Sequence, residues 1–150
     1  MEKFSALCPF SDWSLSLVPA IAAGVYAIWR EDSLIYCGMS GRSFDAQKAG
    51  GRSRYGLATR LHSHASGRLS GDQFCVYVAN RLVIPMLQPE DLARFASGDL
   101  TLDVLTKAYI HEHLSFQFAL TETGPEAYAL EAECRSGLVF GVKPLLNPRT

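Results

Sequence analysis

The chain has 150 residues, 48% of them apolar and 11% aromatic, and a formal net charge of −1. That length fits one domain with a real hydrophobic core, and the composition excludes a disordered or low-complexity chain. The near-zero charge excludes a protein that is basic overall, so any nucleic-acid contact must draw on one positive face.

The four cysteines are Cys8, Cys37, Cys75 and Cys134. They form no C-x-x-C pair and no zinc-finger spacing with histidine, which predicts reduced, mostly buried thiols in a cytoplasmic protein. Met1-Glu2-Lys3 does not open a signal peptide. The apolar run from Leu15 to Val25 is short and broken by Pro19, so no membrane association is expected. The whole chain reads as a single domain.

Met1 to Leu17 reads as irregular, with Phe4, Leu7, Phe10 and Trp13 at helical spacing and Ser11 or Asp12 placed to cap a short turn. Gly24 to Arg30 and Leu34 to Ser40 then read as two strands. Between them, Glu31-Asp32-Ser33 holds no Asn-Gly or Gly-Gly pair, so a loop longer than two residues is predicted. Each strand carries one tyrosine, Tyr26 and Tyr36. The two-residue period of a strand lets both phenols face one pocket, and equally lets them be plain core or rim aromatics.

Residues 41–56 are glycine-rich and basic. They do not match a phosphate loop, because the glycine spacing is too short and no lysine precedes the serine. Arg42, Lys48, Arg52 and Arg54 there, with Arg68 further on, are placed to touch phosphates or to form a solvated surface. Tyr55 to Ala65 predicts a helix with Leu57, Arg60, Leu61 and His64 on one face, ended by Gly67. His62, two residues from His64, cannot share that face and projects from the helix edge.

Gln73 to Ala79 predicts a strand, extended after a break by Leu82 to Pro85. Pro89 to Ser97 predicts a helix ended by Gly98. Thr101 caps another, with Leu102, Leu105, Ala108 and Tyr109 inward. His111-Glu112-His113 at its end lacks a third ligand and reads as a polar junction. Leu114 to Thr121 alternates as a strand. Pro125 to Ser136 predicts a helix with Ala127, Leu130, Glu131 and Cys134 on one face, closed by Gly137. An extended tail follows from Pro144. The fold expected is α+β: a small, mainly antiparallel sheet flanked by helices, with residues 70–113 as an inserted strand and helix elaboration.

Glu131 lies on the apolar side of its helix, where a carboxylate must be paired or bind a cation. A hard oxygen donor suits Mg²⁺ or Mn²⁺, and an ion pair with Arg135 or Lys143 is the ordinary alternative. Glu131 is expected to be the sole strong carboxylate of its pocket. Arg60 either pairs its planar fork with phosphate oxygens or is an exposed helix arginine.

Gly24-Val25-Tyr26 followed by Tyr36-Cys37-Gly38 resembles the paired signature of the GIY-YIG nuclease superfamily. Arg60 looks like the family's helix arginine, Glu131 like its glutamate, and Asn147 in Pro144-Leu145-Leu146-Asn147-Pro148 like its terminal asparagine. His64 matches the histidine or tyrosine that other members carry one turn after the arginine. These matches run from Gly24 to Asn147 in the family's order. The resemblance implies a metal-dependent endonuclease that hydrolyses DNA phosphodiesters with one Mg²⁺ or Mn²⁺ on Glu131 and no organic cofactor. It implies Tyr26 as general base, activated by a lowered pKa, and Tyr36 as the residue that orients the scissile phosphate. Gly24, Gly38 and Asn147 would support the site. Several members carry a lysine after the second motif's glycine, where this chain has Met39; His64 is the residue placed to replace its contact. Two other readings remain: a catalytically inactive nucleic-acid-binding or accessory module, and a domain that binds a small molecule or a protein. Association with a protein partner or as a homodimer is compatible with each.

Overall fold

The computed structural model describes residues 3–12, 17–41 and 56–148. Among them, four antiparallel strands form one sheet: β1 (Cys8–Pro9), β2 (Ala23–Arg30), β3 (Ser33–Ser40) and β4 (Ser115–Thr121), in the spatial order β1-β4-β2-β3. Flanking it are the α-helices α1 (Leu57–Ala65), α2 (Gln73–Val78), α3 (Pro89–Ser97), α4 (Leu102–His113) and α5 (Gly124–Ser136). This is the α+β arrangement expected. Among the described residues no helix is long and apolar enough to cross a membrane.

Strand β2 is central, and Ala23 to Ile28 are all buried. It is covered on both faces, so it reads as a continuous apolar run instead of an alternating one. One face sends Tyr26 and Ile28 into a cluster with Leu57, Leu61, Phe74 and Ile110. The other sends Val25 and Ala27 against Ala127 and Cys134 of α5. The sheet thus separates α1, α2 and α4 from α5, and a site that uses both sides must open at a sheet edge or end.

Several local expectations are corrected. Arg30 pairs with Ser33, so β2 and β3 are joined by the two residues Glu31-Asp32, not by a longer loop. Glu31 takes a φ of 52° to allow it. Strand pairing along the whole hairpin outweighs the roughly 1 kcal/mol that a left-handed non-glycine residue costs. The pairing also skips Ile35, because Ile28 faces Tyr36 and Trp29 faces Leu34. Tyr36 shares a face with Tyr26 through the regular register on the other side of this bulge, where Tyr26 faces Gly38 and Ile28 faces Tyr36.

The strand predicted over Gln73 to Ala79 is helix α2, running into a π-helical turn at Ala79–Val83 and a 3-10 turn at Ile84–Met86. Asp72 decides this, since its side chain accepts from Cys75 N–H and caps the helix. Phe74, Cys75, Val78, Ala79, Leu82 and Val83 are buried. That spacing of one, three and four is helical, and β-branched and aromatic content had masked it. On α4, Tyr109 is buried with Thr106 and Ile110, whereas Ala108 is exposed, which shifts the inner face from the one expected. Near the N-terminus the segment expected to be irregular adds β1 and a 3-10 turn at Phe10–Asp12, with Phe10 packed on Phe116.

Candidate active site

Tyr26, Tyr36, Arg60, His64 and Glu131 line one cavity of about 630 Å³, open at the end of the β2–β3 hairpin. They come from four elements: β2, β3, α1 and α5. Met39 and Asp72 line it too. Asp72 is 3% exposed and corrects the expectation of a single carboxylate. The signal that would have found it is Ser70-Gly71-Asp72 before an apolar run, a helix start that the strand reading concealed.

Tyr26 pairs with Gly38 across the hairpin. A side chain at Gly38 would collide with the Tyr26 phenol, so the glycine of the second motif makes room for the tyrosine of the first. Gly24 serves the sheet instead, since a Cβ there would strike the Ala119 carbonyl of β4. Asn147 ties the tail to the free edge of β3. Its Oδ1 accepts from Cys37 N–H and its Nδ2 donates to Cys37 C=O, both at 2.8 Å. Leu145 N–H and Leu146 N–H donate to Leu34 and Ile35 carbonyls beside it. The middle residue of Tyr36-Cys37-Gly38 is therefore held on both sides.

The polar centre of the cavity is a chain of three buried side chains. The Tyr26 hydroxyl lies 2.7 Å from His64 Nε2, and His64 Nδ1 lies 2.7 Å from Asp72 Oδ2. Ser63 Oγ–H donates to the same carboxylate oxygen, and Cys75 N–H donates to Oδ1. Burial raises the Asp72 carboxyl, but the His64 and Ser63 hydrogen bonds, the His64 charge and Cys75 N–H outweigh it and hold the carboxyl at about 2. Burial holds His64 below its ordinary value, against the opposing pull of Asp72. Asp72 is then ionised and His64 neutral at neutral pH. An acceptor-only carboxylate at Nδ1 requires Nδ1–H, which leaves Nε2 to accept the Tyr26 Oη–H.

Burial, with Tyr36 beside it, pushes the Tyr26 phenol well above its usual value, although Arg60 opposes this. The expected lowering is therefore reversed in this state. Burial and the nearby Glu131 push Tyr36 up to about 12, so it is a hydrogen-bond donor. The Tyr26 and Tyr36 rings are 6.4 Å apart, and Phe74 packs against both Tyr36 and His64.

Arg60 is exposed at the cavity. The Glu131 side chain is 17% exposed, with Oε1 4.0 Å from Arg135 Nη1. A second cavity of about 700 Å³ adjoins the first. It shares Tyr128, Glu131 and Arg135 with it and extends to Lys143 and Asn147. Tyr128 is 66% exposed where the two meet.

Arg42, Lys48, Arg52 and Arg54 lie outside the described residues. Arg68 is exposed and does not line the cavity. His111 donates from Nε2 to the Ala65 carbonyl, the junction role expected of it. Among the described residues no group of three or more His, Cys, Asp and Glu side chains could hold a metal ion. Of the two carboxylates that line the cavity, Asp72 is taken up by His64, Ser63 and Cys75, whereas Glu131 stands across from it beside Arg135. Comparison of the chain with protein-family models, curated proteins and solved structures finds no match.

Proposed function

We propose that the protein is a metal-dependent endonuclease of the GIY-YIG type that hydrolyses DNA phosphodiester bonds. One observation carries this reading. Five residues suited to phosphoryl chemistry, drawn from two strands and two helices, meet in a single open cavity beside the tyrosine hairpin.

The geometry supports a role for each. Arg60 presents an exposed guanidinium whose fork pairs with non-bridging phosphate oxygens. Tyr36 stays protonated and donates its hydroxyl to the same phosphate. Tyr26 lines the cavity and would take a proton from the attacking water, with His64 behind it as acceptor. Glu131 would hold Mg²⁺ or Mn²⁺ through its carboxylate. When bound, such an ion supplies positive charge opposite the pentacoordinate transition state and the leaving 3′ oxygen. Tyr128, Arg135 and Lys143 in the adjoining cavity are suited to a flanking nucleotide, by stacking and by charge.

The test is nicking of supercoiled plasmid with Mg²⁺ or Mn²⁺, beside Glu131→Gln. The variant keeps side-chain volume and removes the charge, so cleavage should fall on the order of a thousandfold, a few kcal/mol of transition-state stabilisation. Its thermal melt should stay close to wild type. Wild-type protein that cleaves neither DNA nor RNA with either ion would overturn the reading.

Met39 favours a second one, because it places an apolar side chain on the cavity where several family members have a lysine. In that reading the same cavity binds nucleic acid without cutting it. Salt-dependent binding with no cleavage would select it.

A further inference from the structure

We propose that Asp72 is a positioning residue for proton transfer at Tyr26: its carboxylate fixes the His64 imidazole so that Nε2 receives the phenolic proton as Tyr26 takes one from the attacking water. This rests on the reading of the cavity as a phosphodiesterase site.

Three observations lead there. Tyr26 is 2% exposed and its hydroxyl reaches His64 Nε2 at 2.7 Å, so a proton arriving at Oη has a short way onward. Asp72 and His64 are each 3% exposed, and both carboxylate oxygens approach Nδ1, at 3.0 and 2.7 Å. Such a pair is not a surface ion pair that water can replace. Finally, a phenol held protonated by burial cannot begin as phenolate. It can act only by passing its own proton on while it takes another.

In this step a water O–H bond breaks and an Oη–H bond forms at Tyr26. The original Oη–H bond breaks and an Nε2–H bond forms at His64. The water oxygen bonds to phosphorus, and the P–O3′ bond breaks. The departing 3′ oxygen takes a proton from solvent, and the imidazolium later returns its own proton to solvent. Asp72 stays ionised and stabilises the transient imidazolium.

The ordinary role of Asp72 is to cap α2, and Asp72→Asn separates the two roles. Asparagine caps as well as aspartate. Its Oδ1 can still accept from Cys75 N–H. Its Nδ2 then takes the place of Oδ2, the nearer acceptor at 2.7 Å, and donates to His64 Nδ1 in preference to the longer 3.0 Å contact of Oδ1, which moves the imidazole proton to Nε2 and turns that nitrogen into a donor towards Tyr26.

The titratable groups facing His64 are Tyr26 from β2, Tyr36 from β3, Arg60 from α1, and Asp72 and Cys75 at the start of α2. Glu131 of α5 faces the two tyrosines across the cavity.

The experiment is long-range ¹H–¹⁵N NMR of the His64 ring at pH 7.5 in wild type and Asp72→Asn, with kcat and KM for duplex cleavage in Mg²⁺. The expected result is Nδ1–H in wild type and Nε2–H in the variant. The variant's kcat should fall about a hundredfold to ten-thousandfold, the share of a general base, with KM held. An identical tautomer in both proteins, or full kcat in the variant, overturns the inference while wild-type cleavage stands. Wild type that shows the Asp72-dependent tautomer but cleaves no nucleic acid overturns the nuclease reading, and the proton transfer with it.

Discussion

The Tyr26 hydroxyl lies 2.7 Å from His64 Nε2, although 38 residues separate them. Strand β2 presents the phenol from its middle, helix α1 presents the imidazole, and Gly38 leaves room for the phenol. Both groups are buried, so each depends on the other for its hydrogen bond.

Tyr26→Phe removes only the phenolic oxygen. It leaves His64 Nε2 buried without that partner, at a cost of about 1–3 kcal/mol in stability. Cleavage should be abolished, while binding to DNA persists through Arg60 and the flanking basic residues. Thermal melts, plasmid nicking and fluorescence anisotropy separate these effects. A variant that still cuts at the wild-type rate would remove Tyr26 from the chemistry.

Acid should destabilise the protein in two stages. His64 is held below its ordinary 6.5 by burial, so the unfolded chain binds a proton that the native state refuses. Its contribution to stability is complete above about pH 6.5 and is lost as pH falls. Asp72 is held at about 2 against an ordinary 3.8. Its contribution is complete above about pH 4 and is lost as pH falls towards 2. The melting temperature should therefore decline from near pH 6.5 downwards, and Asp72→Asn should flatten the lower stage. A melting temperature that rises between pH 6.5 and 4 would contradict the assignment.

At Gly38→Ala the new methyl group meets the Tyr26 phenol. Overpacking of this kind costs about 1–3 kcal/mol and moves the ring or the strand. Chemical denaturation should report the loss, and cleavage should fall even though no functional group has been removed. A Gly38→Ala protein with both properties intact would show that the hairpin yields more easily than its packing implies.

Asn147→Ala deletes two hydrogen bonds to Cys37 at once. At about 1 kcal/mol each, the loss is on the order of 2 kcal/mol, larger if water cannot reach the freed Cys37 groups. Because β3 carries Tyr36, amide hydrogen exchange at Cys37 and Gly38 should quicken together with the drop in stability. Unchanged exchange there would mean that the tail does not hold the strand.

Much of the architecture was legible in the chain itself. Local patterns carry it: alternation in β4, helical spacing with a capping threonine and a closing glycine in α5, a capping threonine in α4, and the two tyrosine strands. Five of the residues that line the cavity were legible too, because the resemblance of the motifs picks out Tyr26, Tyr36, Arg60, His64 and Glu131 in order; Asp72 was not, because the strand reading hid its helix start. What the sequence could not decide are matters of two conformations close in local energy. Gln73 to Val78 suits a strand by residue type, and only the Asp72 cap and burial against Tyr36 and His64 make it a helix. Glu31-Asp32 is a poor tight turn by itself, and only pairing along the full hairpin imposes it. Tertiary structure alone sets the protons as well. A tyrosine's acidity depends on how much water reaches it, and the partners that hold His64 and Asp72 come from segments that become neighbours only when the chain has folded.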